Sequence, residues 1–282
     1  MIARDTSALP LNLLIAQSVG TLVSISPRGQ VVWRERQHDA GAVFVSRTGR
    51  TEIVTEPRAG IVVLRRIDSG DVAAVYGHSR GLSLKDPRTA VENSVGGVVI
   101  ADTGDCRLVF VPQHSHRPSH VDHWTGGRGC PQSVLSADRA LVVTLARPAG
   151  IAVLASGGAS LAYVLLHGIA APSDANAFGS DGLVFADRTQ PGRVVEVNRR
   201  SGAVIWAYGP QSGPGALDEP TLASVLPDGD VLVVDAGNDR VIVIDRRTKR
   251  IVWQYGHSGV AASRPGYLDR PITATLVPLG GI

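Results

Sequence analysis

The sequence predicts an all-β chain: a six-bladed β-propeller with four antiparallel strands per blade, whose C-terminal strand completes the first blade. Three observations carry this expectation. Units of roughly 40 to 50 residues recur along the chain, the period of a propeller or solenoid. Each unit divides into short β-branched runs separated by turn residues rather than following a helical period. The chain begins with a unit that lacks its first strand and ends with one strand to spare.

The best-formed unit fixes the template, its strands named a to d. They fall at about Thr221 to Leu226, Asp230 to Asp235, Arg240 to Asp245 and Arg250 to Tyr255. Between them, Pro227-Asp228-Gly229, Ala236-Gly237-Asn238-Asp239 and Arg246-Arg247-Thr248-Lys249 supply the Gly, Asn and Asp that tight turns need. The preceding unit repeats this order. Further back, "GGVVIADTGDCRLVFVP" matches strands b and c, and the unit from Gly41 ends in Tyr76-Gly77-His78 where the last ends in Tyr255-Gly256-His257. Residues 132 to 167 form a more degenerate copy. The N-terminal "LNLLIAQSVGTLVSISPRGQVVWRER" supplies strands b, c and d only, and "GYLDRPITATLVP" repeats "GALDEPTLASVLP" with nothing after it. Pairing Pro271 to Val277 into the first blade closes the ring and removes its open edges. The expected single domain has blade 1 at about 11–36 plus 271–277, blade 2 at 41–77, blade 3 at 88–126, blade 4 at 132–168, blade 5 at 174–209 and blade 6 at 220–256.

These units resemble the six-bladed propellers built from NHL-type and quinoprotein-like (PQQ-like) repeats. The motifs "VDAGNDRVIVID", "ADTGDCRLVFV" and "IVWQYGHSG" carry the resemblance, which covers essentially the whole chain. It implies a propeller and hardly any particular reaction, since this fold hosts binding modules, lyases, hydrolases and cyclases. It implies no quinone either, because the repeat occurs without a cofactor.

Composition narrows the classes. Hydrophobic residues make up 44% and charged residues 19%, as in a packed globular protein. A net charge of +3, from 28 basic and 25 acidic residues spread along the chain, gives no reason to expect nucleic acid. No run approaches the roughly 18 to 20 apolar residues of a membrane helix. No leader precedes the first strand, so the chain reads as cytoplasmic as written, or exported if a leader was removed; it reads as a monomer.

Chemistry is expected on one face. Antiparallel alternation brings the b-to-c turns and the d-to-a connections to the same end of the ring, around the mouth of its axis. The longer connections, from Gly77, Gly209 and Gly256, are there. Cys106 in a b-to-c turn and Cys130 in a d-to-a connection fall on that face. A disulfide is favoured over two reduced thiols, and no C-x-x-C spacing supports redox catalysis. His38, His78, His123, His167 and His257 all follow a strand d. They can converge as acid, base or ligand groups with Asp39, Asp174 and Glu219, or they mark how the outer strand leaves the blade, toward the rim. Tyr267 and Arg270 complete the candidate ligand-binding set. His114, His116 and His120 crowd a c-to-d hairpin on the opposite face, where support for a dedicated metal is poor. The recurring pairs Asp102 with Arg107, Asp187 with Arg193 and Asp235 with Arg240 read as structural staples. Trp33, Trp206 and Trp253, with Trp124 near their phase, read as packing between blades.

No P-loop, dinucleotide fingerprint, nucleophile elbow or zinc-protease helix is present. The expected function is binding of a small organic molecule at the axial pocket, with cofactor-free acid–base chemistry of the lyase, isomerase or cyclase type as its catalytic form. No metal and no cofactor are called for. The competing class is a non-enzymatic protein-interaction propeller.

Overall fold

The computed structural model describes residues 9–36, 41–46, 48–79, 81–124, 127–137, 140–179 and 181–277. Six four-stranded antiparallel sheets form a ring, with one additional two-stranded hairpin of His78–Ser79 and Leu82–Ser83. In blade 6 the strands are Pro220–Val225, Val231–Asp235, Arg240–Asp245 and Arg250–Gly256. In blade 1 the innermost strand is the C-terminal Pro271–Val277, antiparallel to Asn12–Gln17 and registered with Leu14 opposite Thr275. That pairing joins the two ends of the chain in one sheet. Among the described residues no helix is long and apolar enough to cross a membrane.

The core is divided among the blades. Strands b and c are buried on both faces and read as runs of Val, Ile and Leu, as in "VLVVD" and "RVIVID". Outer strands d are partly exposed; those of blades 1, 3 and 6 are more polar, whereas those of blades 2, 4 and 5 carry no charge. Six apolar clusters result, each between neighbouring blades. One joins Leu232, Val241 and Tyr255 of blade 6 to Leu13, Ile15 and Val23 of blade 1; another joins Val99 and Leu108 of blade 3 to Val143 and Leu154 of blade 4. Trp33, Trp124, Trp206 and Trp253 each pack onto such a cluster. The Trp206 indole also donates to the Arg246 carbonyl across the blade boundary, 3.1 Å away.

Two repeated devices hold the d-to-a connections that cross from rim to axis. The first is the tyrosine ending strand d, buried as Tyr76, Tyr208 and Tyr255. The Tyr208 hydroxyl donates to the Gly215 carbonyl at 2.9 Å, and the Tyr255 hydroxyl accepts from the Gly266 N–H at 3.1 Å. Glycine must follow because the chain leaves the blade against a backbone carbonyl. A Cβ on Gly77 would sit 2.1 Å from the Gly60 oxygen, and one on Gly256 would sit 2.3 Å from the Asp239 oxygen; both glycines have positive φ.

The second device is the aspartate ending strand b. Asp235 accepts from the Asp218 N–H at 2.8 Å, from the Asn238 amide at 2.9 Å and from Arg240 Nε at 2.8 Å. Arg240 in turn donates to the Pro214 and Ala216 carbonyls of the same connection. Asp102 with Arg107 and Asp187 with Arg193 repeat the arrangement at 2.7 and 3.0 Å. The Arg107 guanidinium reaches the Ser83 carbonyl and that of Arg193 the Gly168 carbonyl. In blade 1 the neutral Gln17 takes the aspartate's place, accepting from the Asp269 N–H at 2.7 Å. Burial pushes the carboxyls of Asp102 and Asp235 above their ordinary range despite the opposing pull of these partners.

Removing one partner of a closed pair strands the other. Arg240 is 2% exposed, so Asp235→Ala leaves a buried cation and is expected to cost about 3–5 kcal/mol. The Arg193 side chain is 41% exposed, so Asp187→Ala is expected to cost about 1–2 kcal/mol. Urea unfolding of the two variants measures the difference; equal losses would show that pairing, not burial, sets the cost.

Candidate functional site

The b-to-c and d-to-a loops surround a cavity of about 320 Å³ on the axis, lined from all six blades. Its wall runs from Ser18 and Pro271–Thr273 of blade 1, through Ala42 and Pro57 of blade 2, Asp86 and Arg88 of blade 3 and Gln132 of blade 4. It continues through Asp174 and Arg188 of blade 5 to Glu219 and Thr221 of blade 6.

Three of the charged residues reach the axis by one backbone device. Asp86, Glu219 and Arg270 each precede the proline that opens a strand a, and each is left-handed, with φ of 54°, 46° and 43°. Non-glycine residues occupy that region at a cost of about 1–2 kcal/mol. The side chains pair along the wall. Arg88 Nε contacts Asp86 Oδ2 at 3.0 Å and its Nη1 donates to Gln132 Oε1 at 2.8 Å, while Arg270 Nη2 meets Glu219 Oε2 at 2.5 Å.

The remaining two charges are not so engaged. Arg188 directly follows the strand b aspartate of blade 5, and its guanidinium makes no hydrogen bond or ion pair among the described residues. It is exposed because it borders the cavity, yet protein surrounds it closely enough that burial, and then the charge of Arg88, push its pKa down, with Arg270 adding to the effect. Across the cavity wall, burial pushes the Asp174 carboxyl up to about 6, against the pull of the Ser133 hydroxyl and the Arg188 charge. The site therefore contains a carboxyl that exchanges a proton near neutrality and a cation with no direct partner among the described residues.

Of the residues expected from sequence, Asp174, Glu219 and Arg270 line this cavity. His78, His123, His167 and His257 are exposed and none of them lines it. The reason for His78 and His257 is the glycine before each: the chain turns away at that point, so the next side chain emerges at the rim. Tyr267 stacks on His257 at 4.1 Å with Arg264 over its ring at 4.1 Å, and does not reach the axis. His38 and Asp39 lie outside the described residues. Arg88, Arg188, Asp86 and Gln132 were not anticipated. A sequence signal for Asp86, as for Glu219 and Arg270, is a charged residue directly before the strand a proline; Arg188 has no counterpart in the neighbouring repeats.

Cys106 and Cys130 form a disulfide, their Cα atoms 4.8 Å apart. Cys130 is the first residue of the innermost strand of blade 4, so the bridge ties the b-to-c turn of blade 3 to the next blade. On the opposite face, a cleft of about 500 Å³ lies between blades 2 and 3, bordered by Thr51, Tyr76, Glu92, His114 and His116. His116 packs near Tyr76 and His120 near Phe110, with ring centroids 6.1 and 5.5 Å apart. Although larger, this cleft draws on two blades and its wall is mostly neutral.

Asp174 makes stability depend on pH. Its folded pKa of about 6 lies above the ordinary 3.8, so the native state holds the proton more tightly and stability falls as pH rises between those values. Asp174→Asn removes that contribution, and the drop in Tm from pH 4 to 7 is expected to be smaller than in the unaltered chain. An identical drop would refute the assignment. Mass spectrometry after thiol alkylation is expected to find no modified cysteine before reduction and two after it.

Comparison with known proteins agrees with this architecture. The family model described as outer membrane protein assembly factor BamB matches residues 154–269, which run from the end of strand c in blade 4 through blades 5 and 6. Virginiamycin B lyase from Staphylococcus aureus superposes with a TM-score of 0.64 at 15% identity, covering 86% of this chain and 80% of that one. Hydrazine synthase from Kuenenia stuttgartiensis superposes with a TM-score of 0.62 at 14% identity, covering 83% and 73%. Dihydro-heme d1 dehydrogenase gives 0.54 at 12% identity over 96% and 76%. No curated protein matches the chain in sequence. Identities this low speak for fold and not for activity. The six sheets and their closure establish a six-bladed propeller, which over residues 154–269 is similar to the BamB family model.

Proposed function

We propose that this propeller binds a small polar organic molecule in its axial cavity. The observation that carries the reading is the convergence there of Asp86, Arg88, Asp174, Arg188, Glu219 and Arg270 from blades 1, 3, 5 and 6. A cavity of about 320 Å³ is of the size small ligands fill, and a few convergent polar groups are what such sites use to fix orientation. In a catalytic form of this reading Asp174 is the proton-transfer group, because a carboxyl near pH 6 is populated in both states at neutrality. Arg88 and Arg270, held by Asp86 and Glu219, position the substrate around it.

A second reading, docking of a protein on the rim, is favoured by the outer strands of blades 4 and 5. There Leu161, Tyr163, Leu165, Val204 and Ile205 are exposed on strands that carry no charge.

The two readings separate by experiment. Denaturing extraction of the purified protein, followed by untargeted mass spectrometry, is expected to release a small molecule. Thr221→Phe, which fills the cavity, is expected to abolish its retention while Leu161→Asp leaves it unchanged. Gln132→Phe serves the same purpose should the Thr221 variant fail to fold. Undiminished retention in both filled variants would place the ligand elsewhere and sink the axial reading.

A further inference from the structure

The axial cavity also carries information about the charge of its ligand, an inference that rests on the binding reading just given. We infer that the cavity takes an organic anion whose carboxylate or phosphate group is held by Arg188, with Arg88 and Arg270 beside it.

Three guanidinium groups from alternate blades, 1, 3 and 5, border one concave space. Two are accounted for: Arg88 is held by Asp86 and Gln132, and Arg270 by Glu219. Those pairs balance each other's charge and fix each head group in place. Arg188 is left over. Among the described residues no carboxylate oxygen lies within the 4.0 Å of an ion pair with it, although Asp174 and Glu219 are near enough for their charge to be felt. Its position is also electrostatically poor, since Arg88 and Arg270 repel it and the surrounding protein removes part of its hydration while its tip borders the cavity. A cation kept in such a place without a direct partner gives up part of its hydration and gains only the more distant attraction of Asp174 and Glu219.

An oxyanion resolves this arrangement. A carboxylate or phosphate accepts two parallel N–H bonds from a guanidinium fork, at roughly twice the strength of a neutral hydrogen bond. Bound at Arg188, it also lies within the field of Arg88 and Arg270, which are already oriented and so add attraction without further ordering. Asp174 borders the same space, where its carboxyl is available to pair with a hydrogen-bond donor on the rest of the molecule. The wall is therefore suited to a small acid bearing a donor, and not to a cation or a hydrocarbon.

Calorimetry and thermal unfolding at matched ionic strength test this with malonate, benzoate and inorganic phosphate as probes, and malonamide and benzamide as their uncharged counterparts. At least one anion is expected to bind saturably and raise Tm, and the amides to do neither. The carboxylate and phosphate arms tell the two head groups apart. Arg188→Gln is expected to weaken binding by about tenfold or more, Arg188→Lys to keep part of it, and Arg250→Gln, on the exposed outer strand of blade 6, to leave it unchanged. Retention of folding by the Arg188 variants is checked by their Tm without probe. Equal binding by Arg188→Gln, equal binding by the amides, or no binding by any anion overturns the inference. A neutral or cationic molecule extracted from the protein and lost on filling the cavity overturns it too, while leaving the axial binding reading intact.

Discussion

The structure depends on a buried carboxylate at the end of strand b that holds the loop crossing above it. Each d-to-a connection travels from rim to axis over the blade it is about to enter, outside the four-stranded sheets and with only scattered backbone bonds such as Gly192 N–H to the Leu217 carbonyl to guide it. Asp102, Asp187 and Asp235 fix it by accepting N–H groups of Lys85, Ala171 and Asp218, while Arg107, Arg193 and Arg240 take the carbonyls of the same loops. The loop is thus held through donors and acceptors together, which positions it more firmly than either alone. Burial raises Asp102 and Asp235 even with these partners in place, so the ions are desolvated at a cost that their pairing only partly offsets. Their contribution is to where the loop lies rather than to net stability.

That placement is what creates the cavity. The held loops end at the residue before the strand a proline, and three of these residues turn left-handed and carry Asp86, Glu219 and Arg270 to the axis. Gln17 makes the same hold in blade 1 with an amide, so the seam of the ring is organised like its other blades without a buried charge. The disulfide between Cys106 and Cys130 fastens blade 3 to blade 4 on the same face, where blade 4 ends its strand b in Ala146 and has no aspartate to do so.

The ring itself was legible because the features that define it are local. Alternation of β-branched runs with Gly, Asn and Asp turns marks most hairpins, the Arg147-Pro148-Ala149 turn of blade 4 being an exception, and the orphan strand from Pro271 had one unfilled place to go. The staples were legible for the same reason, since Asp235 and Arg240 lie five residues apart in a repeated motif. The axial site was less so. Histidine recurred near one phase and drew attention, but in blades 2 and 6 it follows a glycine whose Cβ would strike the neighbouring turn, and His78 and His257 lie exposed away from the cavity. Arg88 and Arg188 share no phase: one follows a strand a proline, the other a strand b aspartate. Only closure of six blades into a ring brings them to one cavity, and no spacing along the chain encodes that distance.

The contrast between repeat and cavity separates support from function. Positions that serve the backbone hold one chemical type from blade to blade, as do the tyrosines at 76, 208 and 255 or the aspartates at 102, 187 and 235. The positions before the strand a proline do not: Asp86, Cys130, Ala171, Glu219 and Arg270 occupy corresponding places with an acid, a half-cystine, a methyl, an acid and a base. If their role were to make the turn, glycine would be the least strained choice wherever φ is positive, and glycine fills most positive-φ positions elsewhere in this chain. Placing two carboxylates and a guanidinium there instead spends backbone strain on side chains, and these side chains border a concave space on the axis. The asymmetry is therefore a property of the site and not of the scaffold, as expected of a ring whose repeats build the walls and whose exceptions contact the ligand.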